Sequence, residues 1–268
     1  MRLSTSLPLA AALAVPLLAQ APAAPVAAPA PPPPPAIFGF ALTGSATVGS
    51  QYIFRGLTQT DGKPTVQAEL DLVHPSGFYV STALSNISWI SDTPLPGPVS
   101  AGVELDVFGG YKWAFAKDWT LDLGLFRYLY PGDYSNAGGA NFNTTEAYLG
   151  LSYSWASLKY SRVVSGGNFG ISQAEGSSYV DLSLAYPLGE SGWTILAHGG
   201  RTTYSTSDSA LNTLLNYTDY RLGISKDLKG YLCTLAGTNA DTKDAGYTNL
   251  FGRNIGKGRV TFTIAKSF

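Results

Sequence analysis

The chain has 268 residues, a formal net charge of −1, a sequence pI near 6.1 and only 13% charged residues. That balance lacks the basic excess of a nucleic-acid-binding protein. Cys233 is the single cysteine, so no intramolecular disulfide framework holds the fold, and the length suits one large barrel or two small soluble domains.

Taken from the N-terminus, Arg2 precedes an apolar stretch from Leu7 to Leu18, followed by small residues at Ala19, Ala21 and Ala23. This order predicts a secretory signal peptide over residues 1–23, because the run falls short of the about 20 residues of a membrane-spanning helix. Pro22 to Pro35 is almost entirely Pro and Ala. Proline locks φ and lacks the amide hydrogen, so residues 24–36 read as an extended periplasmic spacer. At about 3.1 Å per residue it reaches roughly 40 Å, which would allow contact with the cell wall.

Beyond Ala36 the apolar residues alternate. Val66, Ala68, Leu70 and Leu72 alternate with Thr65, Gln67, Glu69 and Asp71, and Ala101, Val103, Leu105 and Val107 with Gly102, Glu104 and Asp106. Val180, Leu182 and Leu184 repeat the pattern, as do Val260, Phe262 and Ile264. A period of two gives one apolar and one polar face. Strands are predicted over 40–54, 64–73, 77–87, 99–113, 118–130, 142–155, 157–165, 177–187, 192–203, 216–226, 230–238 and 257–268. The fold class is therefore all-β, a transmembrane antiparallel up-and-down β-barrel of about 12 strands over residues 37–268.

The connections carry a rhythm. Those after strands 2, 4, 6, 8 and 10 are short (His74-Pro75-Ser76-Gly77, Ala114 to Lys117, Ala156, Leu188 to Ser191, Asp227 to Lys229), and the others are longer and polar. Tight periplasmic turns and larger extracellular loops produce this alternation in an outer-membrane barrel, and an even strand count returns both ends to the periplasm. Trp113, Trp119, Trp155 and Trp193 flank the short turns, with Tyr111, Tyr153, Tyr186 and Tyr231 nearby, as a periplasmic aromatic girdle in contact with outer-membrane lipid. Only Trp89 lies elsewhere, near a long loop. Phe268, in phase with Ile264, Phe262 and Val260, looks like the terminal strand signal read by the barrel-assembly machinery, although Lys266 interrupts its apolar pattern.

Several segments resemble the TorF-type porin family. They are Tyr52 to Thr60 (YIFRGLTQT) with Pro64 and Gln67, Ser76 to Val80, Glu104-Leu105-Asp106 with Gly109-Gly110-Tyr111, Tyr130-Pro131-Gly132, and Thr145 to Tyr153. They run in order over about residues 45–165 and fade beyond. The resemblance implies an outer-membrane barrel labelled a porin, with no settled substrate.

The strand phase places Glu69, Asp71, Glu104, Asp106, Asp122, Glu146, Asp181 and Asp219 on the interior face, with Lys112, Lys159, Arg221, Arg259 and Arg55. Acids outnumber bases, which predicts a weak preference for cations. The competing expectation is that these charges pair across neighbouring strands and rigidify a narrow or closed lumen. Arg55 is read as closing strand 1 beside Gly56, with Arg259 close across the seam and Thr58, Gln59, Thr60 and Gln67 adding neutral polar groups at the same mouth. An arginine fork there suits a carboxylate or phosphate of a solute, or pairing with a lumen acid.

Enzymatic signals are poor. His74 sits in a turn and reads as solvated, while His198 lies on the polar face without a Ser/His/acid constellation that spacing can assemble. Two histidines and one cysteine make no transition-metal site, and Cys233 shares the apolar phase of Tyr231 and Leu235. No glycine-rich segment follows a strand and opens a helix, so no nucleotide cofactor is expected. The leading expectation is a narrow outer-membrane channel for passive diffusion of small hydrophilic solutes. The alternatives are a non-conducting barrel acting in surface binding or structure and, further behind, a membrane-embedded enzyme.

Overall fold

The computed structural model describes residues 36–268, so the signal peptide and all but Ala36 of the spacer lie outside the described residues. Twelve strands form one closed sheet: β1 (Phe40–Gly49), β2 (Thr65–Val73), β3 (Phe78–Asn86), β4 (Val103–Ala116), β5 (Trp119–Leu129), β6 (Thr144–Tyr153), β7 (Ala156–Val163), β8 (Ser178–Pro187), β9 (Trp193–Thr203), β10 (Tyr217–Leu228), β11 (Tyr231–Ala240) and β12 (Arg259–Ser267). Each strand pairs antiparallel with the next in sequence, and β12 returns to β1. Closure leaves no strand edge unpaired, the requirement for strands in a bilayer. Residues Ala36–Ile37 add a short antiparallel pairing to the start of β1.

Register converts the period-two pattern into rows around the wall. Trp113, Leu121, Leu151, Leu158 and Leu182 are successive cross-strand partners from β4 to β8. All point outward, and Leu158 and Leu182 are about half exposed (49% and 48%). One residue along, on the inner face, the same ladders align Lys112, Asp122, Gly150, Lys159 and Asp181. The lipid-type face and the charged face are thus the two sides of one set of ladders.

The seam between β12 and β1 is the shortest ladder, and Phe268 extends it. Its amide donates to the carbonyl of Gly44 and its carbonyl accepts from the Gly44 amide, both at 3.0 Å. The Phe268 ring lies over Gly44, where a Cβ would come within 2.9 Å of it, so glycine makes room for the terminal aromatic. Lys266 projects outward beside Tyr231, its ammonium 4.8 Å from the ring centre.

Several boundaries differ from the sequence reading. Strand β1 stops at Gly49 rather than continuing to residue 54. Ser50 and Gln51 break the alternation, and Ile53–Phe54 pairs instead with Leu57–Thr58 in a separate hairpin. Strand β4 runs on to Ala116 through a bulge at Ala114/Ala116, so its turn is shorter than predicted. The long loops also hold two helices, α1 (Ser209–Leu215) and α2 (Asp244–Tyr247). Helix α1 is capped by Asp208, whose carboxylate accepts from the amides of Ala210 and Leu211. The Tyr247 hydroxyl donates to the Leu215 carbonyl at 2.5 Å and ties the two helices together.

Candidate functional site in the barrel interior

The hairpin of the first long loop folds into the barrel. At its tip Arg55 (φ 47°) and Gly56 (φ 78°) are both left-handed, which gives the two-residue turn that suits the twist of a hairpin. The stem is tied by Gln59 N–H to Tyr52 O at 2.8 Å and Tyr52 N–H to Thr60 Oγ1 at 3.1 Å. Two other loops clamp it: Ser88 N–H donates to Gln59 O, and Thr58 N–H donates to Ile255 O. Arg55 therefore does not close β1; it sits on the loop that crosses the interior.

Arg55 Nη1 and Nη2 donate to Oε1 and Oε2 of Glu146 on β6, at 2.9 and 2.7 Å. Its plane lies 4.3 Å from the ring centre of Tyr179 on β8 and 4.8 Å from that of Phe54. Gly56 is seated against β10 and β11, and a Cβ there would collide with the Asp219 side chain and press on Ala240. Since β6 lies across the barrel from β1, this contact spans the interior. Arg55 is 7% exposed and Glu146 1%, so the pair is screened from bulk water.

The neighbouring carboxylates are held as well. Tyr52 OH donates to Glu104 Oε1 at 2.7 Å and Tyr130 OH to Oε2 at 2.8 Å. Burial first, and the Glu104 charge second, push the Tyr52 hydroxyl well above the usual tyrosine range, so it remains the donor. Asp71 accepts from Ser81 at 2.5 Å, Asp122 from Tyr79 at 2.9 Å, and Gln67 donates to Ser85 at 3.0 Å. Gln59 turns its amide back to Leu57 O at 3.1 Å. Glu69 and Asp106 are both 2% exposed and face the interior on either side of Ala83. The stacked rings of Phe108 and Phe126, 4.8 Å apart, fill space among these polar groups.

On the opposite wall His198 bridges two acids, with Nδ1 3.1 Å from Asp181 and Nε2 2.8 Å from Asp219. Ser183 Oγ is 3.1 Å from the same Nδ1, an arrangement that sequence spacing did not supply. However, the Ser183 hydroxyl donates to Asp181 at 2.8 Å. With a carboxylate on each ring nitrogen, His198 acts as donor on both sides and presents no lone pair to take a proton from Ser183. The serine is not activated. Among the described residues no cluster of three or more His, Cys, Asp or Glu could hold a metal ion.

Arg221 and Arg259 lie in one row of the inner face, two strands apart. Arg259 is 3.9 Å from Asp61, which Arg253 approaches more closely at 3.2 Å. The expected proximity of Arg55 and Arg259 gives way to separate partners, because the hairpin carries Arg55 to the far wall. Trp113, Trp119, Trp155 and Trp193 are all outward near the short turns, 36–54% exposed. Trp89 turns inward against Tyr130 and Phe142, with ring centres 5.5 Å away in each case. His74 is not simply solvated: its ring packs 5.0 Å from Phe40 and Nδ1 lies 2.6 Å from Ser76 Oγ.

Residues 35–268 match the family described as "Bacterial protein of unknown function (Gcw_chp)". The chain belongs to that family. The description does not carry the TorF-type name. No curated protein matches the Gcw_chp chain. Among solved structures, it is similar to the NanC porin at 11% identity and TM-score 0.49, covering 84% of this chain and 98% of that one. LpxR from Salmonella typhimurium gives 9% identity and TM-score 0.42, covering 84% and 99%, and OpdL of Pseudomonas aeruginosa 11% and 0.42, covering 87% and 68%. None reaches a TM-score of 0.5, and none carries a function across to the Gcw_chp protein.

Proposed function

We propose that this Gcw_chp protein is a porin-like barrel of the bacterial outer membrane that passes small hydrophilic solutes through a narrow lumen, restricted by its first long loop. The observation that carries the reading is the Arg55–Glu146 clasp, drawn across an interior in which charged and polar side chains line the wall beside a buried aromatic cluster. The outward apolar rows and the tryptophans at the short-turn end support insertion in a bilayer with those turns on the periplasmic side. The seam role of Phe268 supports its recognition by the barrel-assembly machinery. A weak cation preference would arise from the interior carboxylates Glu69, Glu104 and Asp106, of which Glu69 and Asp106 flank Ala83 on the inner face.

The test is conductance of the refolded barrel in a planar bilayer. Discrete steps that change when the hairpin is released support the channel, and a reversal potential toward cations in a salt gradient supports the selectivity. Absence of conductance from both wild type and hairpin-released variants overturns the channel. It would favour the second reading, a non-conducting structural or surface-binding barrel, for which the buried Phe108–Phe126 stack speaks.

A further inference from the structure

The wall of the barrel sorts charge by sign. Among the described residues, every carboxylate of the twelve strands lies on the inner phase, whereas Arg127 on β5, Arg162 on β7 and Arg201 on β9 share the outward phase. Each stands beside a hydroxyl residue, its direct partner on the next strand: Thr145, Ser178 and Thr218. The three pairs therefore sit at the base of three successive long loops. Arg127 Nη1 donates to Thr145 Oγ1 at 2.5 Å, and Arg201 Nη1 to Thr218 Oγ1 at 2.8 Å. Arg162 reaches past the end of its strand, with Nη2 3.0 Å from where a Cβ on Gly176 would stand. None of the three forms an ion pair among the described residues.

Their heights agree with one another. Arg127 lies eight residues from Trp119 along β5, and Arg201 eight residues from Trp193 along β9. Between them the outward positions are Leu121, Leu123 and Leu125 on β5, and Ile195, Ala197 and Gly199 on β9. At about 3.4 Å per residue and a strand tilt of roughly 35–45°, eight residues span about 20 Å of depth, near the about 25 Å of an outer-membrane apolar band. The arginines thus mark the edge of the apolar wall opposite the tryptophans. At the tryptophan edge the outward cations are lysines laid over rings, Lys226 5.0 Å from Trp193 and Lys266 4.8 Å from Tyr231.

We propose that Arg127, Arg162 and Arg201 form a belt that binds the phosphate-bearing headgroups of outer-leaflet lipid. A guanidinium carries five N–H donors, and the threonine hydroxyls take one nitrogen of Arg127 and one of Arg201, leaving the rest of each fork for phosphate oxygens. Arg162 partners Ala147, two residues from Thr145, and Arg201 partners Val180, two residues from Ser178. With that stagger over two strands, neighbouring arginines stand about 12 Å apart along the wall, a spacing for adjacent headgroups rather than for one enclosed anion. No carboxylate on the outward phase competes with them. The belt rests on the bilayer orientation of the proposed function, and its occupancy is measurable without conduction.

The experiment is native mass spectrometry of the folded full-length barrel in neutral detergent, titrated with dioleoyl phosphatidate, with dioleoylglycerol, and with inorganic phosphate. The two lipids differ in the phosphate alone. Phosphatidate should bind at least about tenfold more tightly than dioleoylglycerol, and added salt should narrow the gap. The combined variant Arg127→Gln, Arg162→Gln, Arg201→Gln should lose that preference, whereas Lys226→Gln with Lys266→Gln should keep it. Heat-modifiable migration on gels verifies that each variant is folded. Should the triple variant not fold, Arg162→Gln alone, at an exposed position, should weaken phosphatidate binding severalfold. Equal binding of the two lipids by wild type overturns the belt, as does an undiminished preference in the folded arginine variants. Inorganic phosphate binding as tightly as phosphatidate would overturn the assignment to lipid. A barrel that conducts without distinguishing the two lipids sinks the belt alone, and one that distinguishes them without conducting retires the channel and leaves the belt standing.

Discussion

Arg55 and Glu146 are joined by two parallel hydrogen bonds across the barrel, one partner on a loop and the other on the wall. A bond of this kind fixes the loop only while both charges remain buried. Removing one partner leaves the other charge desolvated at a cost of about 3–5 kcal/mol, an upper limit here because the loop can swing away. Arg55→Ala is therefore expected to leave the strands intact while freeing the hairpin. Single-channel recordings should show larger or more frequent openings than wild type, and unchanged recordings would remove the clasp from any account of restriction.

A second variant reaches the same loop through its backbone. Gly56→Val places a branched side chain at positive φ and drives a Cβ into Asp219. Backbone strain of about 1–3 kcal/mol adds to that collision, so the tip should leave its seat. Limited proteolysis of the folded barrel should then cut within residues 52–60, where wild type resists.

The strands were legible in the sequence because a period of two survives whenever one face of the wall is apolar and the other polar. The same rule gave the inward phase of Glu104, Glu146 and Asp219, residues that are each 1% exposed. Their partners were not legible. Register decides which residues face one another across a ladder, and it is set by turn lengths that sequence fixes only loosely. Arg55 shows the other limit. The alternation was carried past Ser50 and Gln51, whereas the left-handed Arg-Gly pair flanked by Ile-Phe and Leu-Thr marks a hairpin. Arginine at positive φ is uncommon, so that signal is weak without the structure. Trp89 was placed near a long loop, but its inward packing was not legible, because its ring partners are Tyr130 and Phe142, in another loop.

Tryptophan depth offers an independent check of orientation within a bilayer. Trp113, Trp119, Trp155 and Trp193 point outward, whereas Trp89 is packed inside. Brominated lipids should quench the fluorescence of variants retaining any one of the first four and spare a variant retaining only Trp89. Equal quenching of Trp89 would contradict the inward fold of its loop.

Phe268 can be tested by deletion. Two backbone hydrogen bonds to Gly44 would be lost, at about 0.5–1.5 kcal/mol each, together with the ring contact. The temperature at which the compact band disappears on semi-native gels should fall, and the yield of folded barrel should drop further than for Lys266→Ala. An unchanged transition would show that the seam holds without its last residue.

That seam also sets the order in which the chain can become a barrel. Every other ladder joins neighbours in sequence through a turn or a single loop, and each can zip locally. The pairing of β12 with β1 brings together residues from opposite ends of the chain, and it does so through the shortest ladder. The largest entropy of ring closure thus falls on the smallest set of bonds. Eleven hairpins can form before that cost is met, and an open, curled sheet with two exposed edges is the state that any assembly factor would have to hold.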